Sequence, residues 1–249
     1  MFLSTNGDCI KIFGGPVCGN GFTEPGEECD CGLVSDCSTP CCDPETCRLT
    51  PGSACGSGLC CDLSTCSLAP PSRPCRPAAG ECDLPEVCDG ESAHCPRDVH
   101  KAPGLSCSGG AGFCHSGQCG SHQAQCRLLW GAEARPAQPQ CWGLNRRGDH
   151  RGNCGFTDGN RSHYRACRPG DEMCGMMHCQ HHSQDLQIGL DHVAIISRSF
   201  IQDGKKVVAC RNALVDLGLS NSDPGLAPSG SKCGDQKMCL HQKCVSLGE

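Results

Sequence analysis

The chain has 249 residues, of which 29 are cysteine, 33 glycine and 17 proline, while aromatic residues make up 4%. Cysteine at this density is typical of a disulfide scaffold in an oxidising compartment, and the irregular cysteine spacings argue against a reduced protein with many zinc sites. The net charge of −6 argues against nucleic-acid binding, and no stretch approaches the roughly 20 apolar residues that span a membrane.

The composition also limits the core. Apolar residues are too few for one large core, so cross-links must stabilise the fold, and a disulfide that closes a loop of about fifteen residues contributes roughly 3 kcal/mol. The number of cysteines, 29, is odd, and Cys9 stands alone before the dense framework that begins at Cys18. We predict fourteen disulfides in that framework and a partner for Cys9 in an upstream segment that this sequence lacks.

Three regions of the chain differ in cysteine spacing and apolar content. Residues 1–17 are a short lead-in without the basic and apolar regions of a signal peptide. Residues 18–107 hold closely spaced cysteines separated by Pro, Gly, Asp and Ser without an apolar period, which predicts turns and very short strands and no internal repeat. In residues 108–249 the cysteines thin out and apolar residues return, which predicts a small α/β core.

Oxygen-bearing side chains are concentrated in VCGNGFTEPGEECD, residues 17–30. Asn20, Glu24, Glu27 and Asp30 follow at short intervals around a Pro-Gly turn. Calcium binds about six to eight oxygen ligands, and three crowded carboxylates repel one another unless a cation neutralises them. The residues alone leave open a calcium site and a solvated acidic turn.

The stretch CRPAAGECDLPEVCDG, residues 75–90, places Cys82 between Glu81 and Asp83. Such a segment cannot build a core and is typical of an exposed loop. Three interpretations are open: a receptor-binding loop, a cation site, and a stapled surface turn.

Two short motifs follow. Arg147-Gly148-Asp149 is a literal adhesion tripeptide, but a match this short arises by chance, and we do not expect it to bind integrins. Asn160-Arg161-Ser162 is an N-glycosylation sequon, so Asn160 is predicted to carry a glycan on an exposed loop.

Two segments near residue 175 contain further candidates. CRPGDEMCGMMHC, residues 167–179, predicts one short helix around Asp171–Met177. HCQHH, residues 178–182, is predicted to be a polar surface turn and not a metal site, because Cys179 is expected in a disulfide and no second cluster accompanies it. No zinc is expected, and no catalytic Ser-His-Asp or Cys-His arrangement can be argued.

The clearest secondary-structure signal is DHVAIISRSFIQDGKKVVAC, residues 191–210. Two β-branched runs, Val193–Ile201 and Lys205–Cys210, flank Asp203-Gly204, a dipeptide favoured in tight hairpin turns. A β-hairpin is therefore predicted here. The following stretch LGLSNSDPGLAPSG, residues 217–230, has the composition of a flexible loop.

The cysteine-bearing segments together resemble one known family. CGNGFTEPGEECDCG (18–32), CCDPETC (41–47), CGSGLCC (55–61) and CRPAAGECDLPEVCDG (75–90) resemble the disintegrin domain of the ADAM proteins. CWGLNRRGDHRGNCG (141–155) and PSGSKCGDQKMCLHQKC (228–244) resemble the cysteine-rich domain, and the details lean toward the meltrin-like branch. One departure is the four residues between Cys61 and Cys66, where relatives commonly have two.

The resemblance implies a small disulfide-rich fold in two parts. An elongated disintegrin domain at 18–107, stapled by calcium and disulfides, would have little regular structure. A small α/β cysteine-rich domain would occupy 108–249, and residues 1–17 would be the tail of a missing metalloprotease domain. In the family the region from about His181 to Cys233 holds a variable surface that selects partners.

The resemblance also implies two structural calcium ions. The first would be held by the four side chains named above and by the carbonyls of Val17 and Phe22. The second would be held by the side chains of Asp83, Glu86 and Asp98 and by the carbonyls of Leu84 and Val99.

The loop has a second implied role. Cys82 would be tied to the cysteine-rich region, and Arg76 followed by Asp83-Leu84-Pro85-Glu86 resembles a motif with which some family members bind α9-type integrins, although Val87 stands where they usually have Phe. Glu81, Cys82 and these residues form the candidate receptor loop. A calcium loop without a receptor is the alternative.

The leading functional hypothesis is a non-catalytic recognition module of an ADAM-type membrane metalloprotease, located outside the cell, that positions substrates or binds receptors such as integrins. One alternative is a fragment of an active zinc metalloendopeptidase, although no H-E-x-x-H occurs in these residues. The other is a freestanding secreted antagonist similar to venom disintegrins.

Overall fold

The computed structural model describes residues 2–3, 9–10, 16–157, 162–182, 185–187, 191–215, 217 and 223–248. It consists of two compact units: the first comprises Met1–Ala78 and Pro85–Val99, and the second comprises Ala79–Leu84 and His100–Glu249. The predicted glycosylation site Asn160, the side chain of Cys9 and most of residues 217–222 lie outside the described residues. No described helix is both long enough and apolar enough to cross a bilayer.

The first unit contains only very short strands, which pair as antiparallel hairpins. They are β1 (Phe2–Leu3), β2 (Cys9–Ile10), β3 (Cys42–Asp43), β4 (Arg48–Leu49), β5 (Cys61–Asp62), β6 (Ser67–Leu68), β7 (Pro74–Arg76) and β8 (Glu86–Val87). This confirms the prediction of a disulfide-rich fold with little regular structure.

Two of these hairpins are copies of one motif, so the prediction of no internal repeat is wrong. The sequences CCDPETCRL (41–49) and CCDLSTCSL (60–68) form β3–β4 and β5–β6 with equivalent registers. The third cysteine of each copy, Cys47 and Cys66, takes the same left-handed backbone conformation (φ 52° and 54°). The four residues between Cys61 and Cys66 therefore match the four between Cys42 and Cys47, and they form a normal turn of this motif.

Fourteen disulfides join all 28 cysteines from Cys18 onward, as predicted. In the first unit they are Cys18–Cys47, Cys29–Cys42, Cys31–Cys37, Cys41–Cys66, Cys55–Cys61, Cys60–Cys88 and Cys75–Cys95. In the second unit they are Cys82–Cys114, Cys107–Cys119, Cys126–Cys179, Cys141–Cys210, Cys154–Cys167, Cys174–Cys239 and Cys233–Cys244.

Cystines replace apolar side chains in the interior of the first unit. Among its described residues, the buried hydrophobic positions are cysteines and Ala69, whereas Leu33, Val34 and Leu59 are each about 60% exposed. The largest cluster groups Ala69 with Cys60 and Cys88. The cross-links therefore hold this unit together, as the composition predicts.

The second unit has longer elements and a conventional core. Its strands are β9 (Ser106–Cys107), β10 (Gly112–His115), β11 (Gln118–Gly120), β12 (Arg135–Pro136), β13 (Cys179–Gln180), β14 (Ala194–Asp203), β15 (Lys206–Val215), β16 (Lys232–Gly234), β17 (Lys237–Leu240) and β18 (Lys243–Ser246). Its helices are α1 (His122–Trp130) and α2 (Pro139–Trp142), and single 3₁₀ turns occur at Ser108–Gly110, Gly143–Arg147, Glu172–Cys174 and Asp191–Val193.

The central sheet of this unit is antiparallel, with strand order β12-β13-β15-β14. The predicted hairpin is confirmed as β14–β15, but Asp203 pairs with Lys206, so Gly204-Lys205 forms the two-residue turn. Gly204 has a φ of 59°, which fits the glycine position of a type II′ turn. The turn lies one residue beyond the predicted Asp203-Gly204.

The helices were predicted less well. The helix expected at Asp171–Met177 is wrong, because only Glu172–Cys174 forms a 3₁₀ turn and Gly175 leaves helical geometry at ψ −146°. Helix α1 was missed. Its signals are Ser121 as N-cap and buried residues at helical spacing, including Cys126 and Trp130.

The core of the second unit also contains a histidine that was predicted on the surface. His178 is fully buried, whereas His182 of the same HCQHH segment is exposed. The side-chain amide of Asn145 donates to the carbonyls of Glu172 and Met176, so its oxygen accepts from Nε2 of His178 at 3.1 Å. Nδ1 of His178 is buried without a partner among the described residues, and desolvation lowers the pKa of His178 to about 4.

We predict that acid destabilises the second unit through His178. Above pH 6.5, His178 is neutral in both the folded and the unfolded chain. Between pH 6.5 and about 4, His178 is protonated in the unfolded chain but stays neutral in the folded chain. The free energy of unfolding should therefore fall by up to about 3 kcal/mol over this range and then level off. Guanidinium unfolding at pH 7.5 and 4.5, followed by tryptophan fluorescence, measures the loss.

His178→Gln should reduce this pH dependence, and His182→Gln should leave it unchanged because His182 is exposed. Equal pH dependence in His178→Gln and the unsubstituted chain would contradict the assignment.

Candidate functional site

The first acidic cluster lies in the loop of residues 17–30. Oε2 of Glu24 accepts from the backbone amide of Val17 at 2.7 Å and from Nδ2 of Asn20 at 3.1 Å. Oδ1 of Asn20 accepts from the amide of Phe22 at 2.8 Å, and Oε2 of Glu27 accepts from the amide of Glu24 at 2.9 Å. The short loop thus gathers its oxygen atoms around one turn.

Asp30 is the buried member of this cluster, at 6% exposure. Burial alone would raise the pKa of its carboxyl group, but four backbone amides, those of Gly19, Asn20, Gly21 and Gly32, donate to it at 2.8–3.1 Å. These donors outweigh burial and lower the pKa. Asp30 is therefore ionised inside the loop.

The cluster has oxygen atoms of the type that a hard cation binds. Carboxylate oxygens of Glu27 and Asp30 lie within 4.8 Å of each other, and no Lys or Arg side chain pairs with either of them in the described part of the chain. Two close carboxylates and an amide oxygen on one turn are ligands of the type that calcium prefers. Calcium at this cluster stays a prediction.

The members of the second predicted calcium site fall into different units. Glu86, Asp98 and Val99 lie in the first unit, and Asp83 and Leu84 in the second. Within the first unit, Glu86 is 3% exposed and is held by Arg76, whose Nε lies 2.7 Å from Oε2. Nη2 of Arg76 also lies 3.1 Å from Oδ1 of Asp98. An arginine therefore supplies the positive charge to these two carboxylates.

Sequence reasoning gave Arg76 a role in receptor binding and missed this second contact. The other oxygen of Glu86 accepts from the amide of Val99 at 2.9 Å, so the whole carboxylate has partners. The strand pairing of Arg76 with Glu86 in β7–β8 brings the two together, and that register could not be derived from spacing alone.

Asp83 is buried at the base of the loop in the second unit, at 7% exposure. Its Oδ2 accepts from the amide of Ala79 at 2.7 Å, and its Oδ1 lies 3.5 Å from Nδ1 of His100. The amide of Ala79 is the main cause of its lowered pKa, to which Leu84 and His100 add. Asp83 is therefore not available at the surface.

Glu81 is the exposed carboxylate of the loop. One of its oxygens, Oε2, accepts from the amide of Ser108 at 2.8 Å. The neighbouring Cys82 is fully buried and bonded to Cys114, inside the region predicted as cysteine-rich. Leu84 and Pro85 are exposed, so the accessible part of the candidate receptor loop contains Glu81 and these two residues.

The Arg147-Gly148-Asp149 tripeptide begins at the last residue of the 3₁₀ turn Gly143–Arg147 and folds back on itself. Nε of Arg147 lies 3.5 Å from Oδ2 of Asp149, and the other carboxylate oxygen accepts from the amide of Arg151 at 2.8 Å. A ligand that offers a cation and an anion to two receptor groups must keep them apart. That this tripeptide does not bind integrins stays a prediction.

Comparison with known families identifies both parts of the chain. A family model described as Disintegrin matches residues 24–98, and a model described as ADAM cysteine-rich matches residues 103–225. Both matches agree with the resemblance carried by the cysteine segments.

Curated relatives match nearly the whole chain. Disintegrin and metalloproteinase domain-containing protein 12 of Mus musculus is 41% identical over 238 residues, which are 95% of this chain and 26% of the relative. Protein 19 of the same series, from Homo sapiens, is 40% identical over 249 residues, 98% of this chain and 25% of the relative. Protein 15 of the series, from Homo sapiens, is 40% identical over 229 residues, which are 91% of this chain and 26% of the relative. The chain spans about a quarter of the length of these relatives.

We predict that Arg76 is required for the stability of the first unit. Arg76→Met leaves the buried carboxylate of Glu86 without its cation and should lower the free energy of unfolding by about 1–2 kcal/mol. Calorimetric melting of the disulfide-intact chain measures the loss.

Two variants control this experiment. Arg48→Met breaks an ion pair with Glu28 in which both side chains are about half exposed, so its effect should stay below about 1 kcal/mol. Adding Glu86→Gln to Arg76→Met should recover part of the loss. An Arg76→Met effect no larger than that of Arg48→Met would disprove the role of the buried carboxylate.

Proposed function

The chain belongs to the ADAM family, as its disintegrin domain followed by its ADAM cysteine-rich domain, and we propose that it is a non-catalytic recognition module. It acts outside the cell, where it binds cell-surface receptors such as integrins or positions protein substrates. Its disulfides support the extracellular location, because bonds of this kind persist in oxidising compartments.

The observation that carries the proposal is the loop around Glu81. An exposed carboxylate stands next to Cys82, and the disulfide to Cys114 fixes the backbone on which it is presented. A rigid loop loses little conformational entropy when it binds, which favours affinity. A carboxylate in this setting can complete the coordination of a receptor-bound metal ion.

We assign the receptor role to Glu81 and not to Asp83. Asp83 belongs to the segment that resembles the integrin-binding motif, but its side chain is buried, accepts from the amide of Ala79 and lies 3.5 Å from His100. Glu81 takes its place in the proposal. Leu84, in the same unit, supplies an exposed apolar side chain.

Calcium is part of the proposal as a structural ion. It would be held at the first acidic cluster by Asn20, Glu24, Glu27 and Asp30, with the carbonyls of Val17 and Phe22, and it would neutralise the carboxylates there. A second ion at Glu86 and Asp98 would have to displace Arg76, so we place the proposal on the first cluster.

The function of the whole parent protein is a wider proposal. The relatives are named for a disintegrin and a metalloproteinase domain, whereas the two domains matched here are disintegrin and cysteine-rich. We propose that the parent joins this module to a zinc metalloproteinase, whose substrates the module would help to select.

Adhesion tests the receptor loop. Cells that express an α9-type integrin should adhere to the immobilised chain. Glu81→Gln should reduce adhesion at least tenfold, because the negative charge proposed to bind the receptor's metal ion is lost. Arg147→Gln should have no effect, since Arg147 is paired with Asp149. Equal adhesion to Glu81→Gln and the unsubstituted chain, with both folded, would refute the role of Glu81.

Calcium removal tests the metal proposal. Calcium should raise the melting temperature of the chelator-treated chain by several degrees, because an ion bound only to the folded state stabilises it. Glu27→Gln should abolish most of this shift, and Glu91→Gln, an exposed carboxylate outside the cluster, should retain it. Identical melting curves in calcium and in chelator would remove the ion from the proposal.

A further inference from the structure

Two arginines lie directly opposite each other in the central sheet of the second unit. Arg198 of β14 pairs in register with Arg211 of β15, and side chains in such a pair have Cβ atoms about 5 Å apart. No carboxylate lies within 4.0 Å of either guanidinium in the part of the chain described. Like charges directly opposite destabilise a sheet, so this pair has a cost in the isolated chain.

Arg211 also has an unused hydrogen-bond donor. Its guanidinium lies over the ring of Trp130, with Cζ 5.3 Å from the ring centroid, which fixes the position of the charge. Nη1 is buried, and no described residue accepts a hydrogen bond from it. Burial and then the charge of Arg198 lower the pKa of Arg211. Buried donors in folded proteins nearly always have a partner, and this one has none among the described residues.

Both arginines line one pocket with a volume of about 230 Å³. The other lining residues include Gln138, Gln180, His181, Val207 and Ala209. The pocket therefore offers paired cations, neutral hydrogen-bonding groups and an apolar flank. Its volume suits one side chain and not a large head group.

We propose that this pocket binds an acidic side chain, a Glu or Asp carboxylate, from an extended segment of a partner protein. Each guanidinium presents a planar fork of donors that matches the two oxygens of a carboxylate. A bound carboxylate would pair with the two guanidinium groups that line the pocket and would remove the repulsion between the arginines. The chain as a whole has a net charge of −6, so the attraction is local to this pocket.

The position of β14 explains why the partner segment should be extended. β14 is ten residues long and lies at the edge of the sheet, so along its outer side no strand of the described residues pairs with it. An edge of this kind accepts an added strand through main-chain hydrogen bonds, and side-chain pockets then provide specificity. Phe200, which is 66% exposed on this strand, offers an apolar contact nearby.

This site lies within the second unit and does not depend on the receptor role of Glu81. Failure of the adhesion experiment would therefore leave it intact. It adds a partner class, acidic extended segments, to the proposed recognition function.

Calorimetric titration of the complete chain tests the proposal with three peptides. The first is an acetylated and amidated Thr-Val-Glu-Val-Thr. The second replaces its Glu with Gln, and the third combines that Gln with a free C-terminal carboxylate. The Glu peptide should bind, and the Gln peptide should bind at least tenfold more weakly. Binding of the Glu peptide should also change the fluorescence of Trp130, which contacts Arg211.

Arg198→Gln should bind the Glu peptide at least tenfold more weakly. Arg127→Gln should bind it with unchanged affinity, because Arg127 is an exposed residue of α1 outside the pocket. Without peptide, Arg198→Gln should melt at the same or a higher temperature at low salt, because the like-charge contact is gone. That result separates loss of the site from loss of the fold.

Several outcomes would overturn the proposal. They are equal binding of the Glu and Gln peptides, unchanged affinity in Arg198→Gln, and a lower melting temperature of that variant. Tighter binding of inorganic sulfate or of the peptide with the free C-terminus would overturn the assignment to an acidic side chain.

Discussion

Cystines in the interior of the first unit carry the structural role that apolar side chains have in most domains. The motif CCDxxTCxL uses its three cysteines in a regular way, and the two copies are bonded to each other through Cys41 and Cys66. The first cysteine of the second copy, Cys60, reaches forward to Cys88, just after β8. Short hairpins that would not be stable alone are therefore joined into one ladder, and the surface loops are held by that ladder.

Several carboxylates in this scaffold are stabilised by nearby hydrogen-bond donors or by an arginine. Backbone amides surround Asp30, an arginine holds Glu86, and Asp43 accepts from the amide of Glu45 and the hydroxyl of Thr46 in its own turn. Glu81 differs because it stays exposed on a loop that a disulfide fixes. Glu81 is the exposed carboxylate to which the proposed receptor role is assigned.

Cysteine content and the resemblance were sufficient to predict the number of disulfides and the order of the two domains, but not which cysteines pair. They failed where pairing register decides the outcome. A turn at Asp203-Gly204 would place Arg198 opposite Ala209, whereas the observed turn places it opposite Arg211. Likewise, acidity of the sequence around Cys82 does not reveal that Asp83 is buried and Glu81 exposed, because burial depends on contacts with His100 and Ser108 that are distant in sequence.

The ladder of hairpins also determines how the first unit responds to pulling. About 70 residues separate Cys18 from Cys88, a length of roughly 240 Å when the chain is fully stretched. The shortest covalent route runs instead through the bridges Cys18–Cys47, Cys41–Cys66 and Cys60–Cys88 and includes only about a dozen residues of backbone, or roughly 60 Å in all. A module that links two surfaces under tension would therefore stay short even if every non-covalent contact in it failed, and only a reducing agent could let it lengthen.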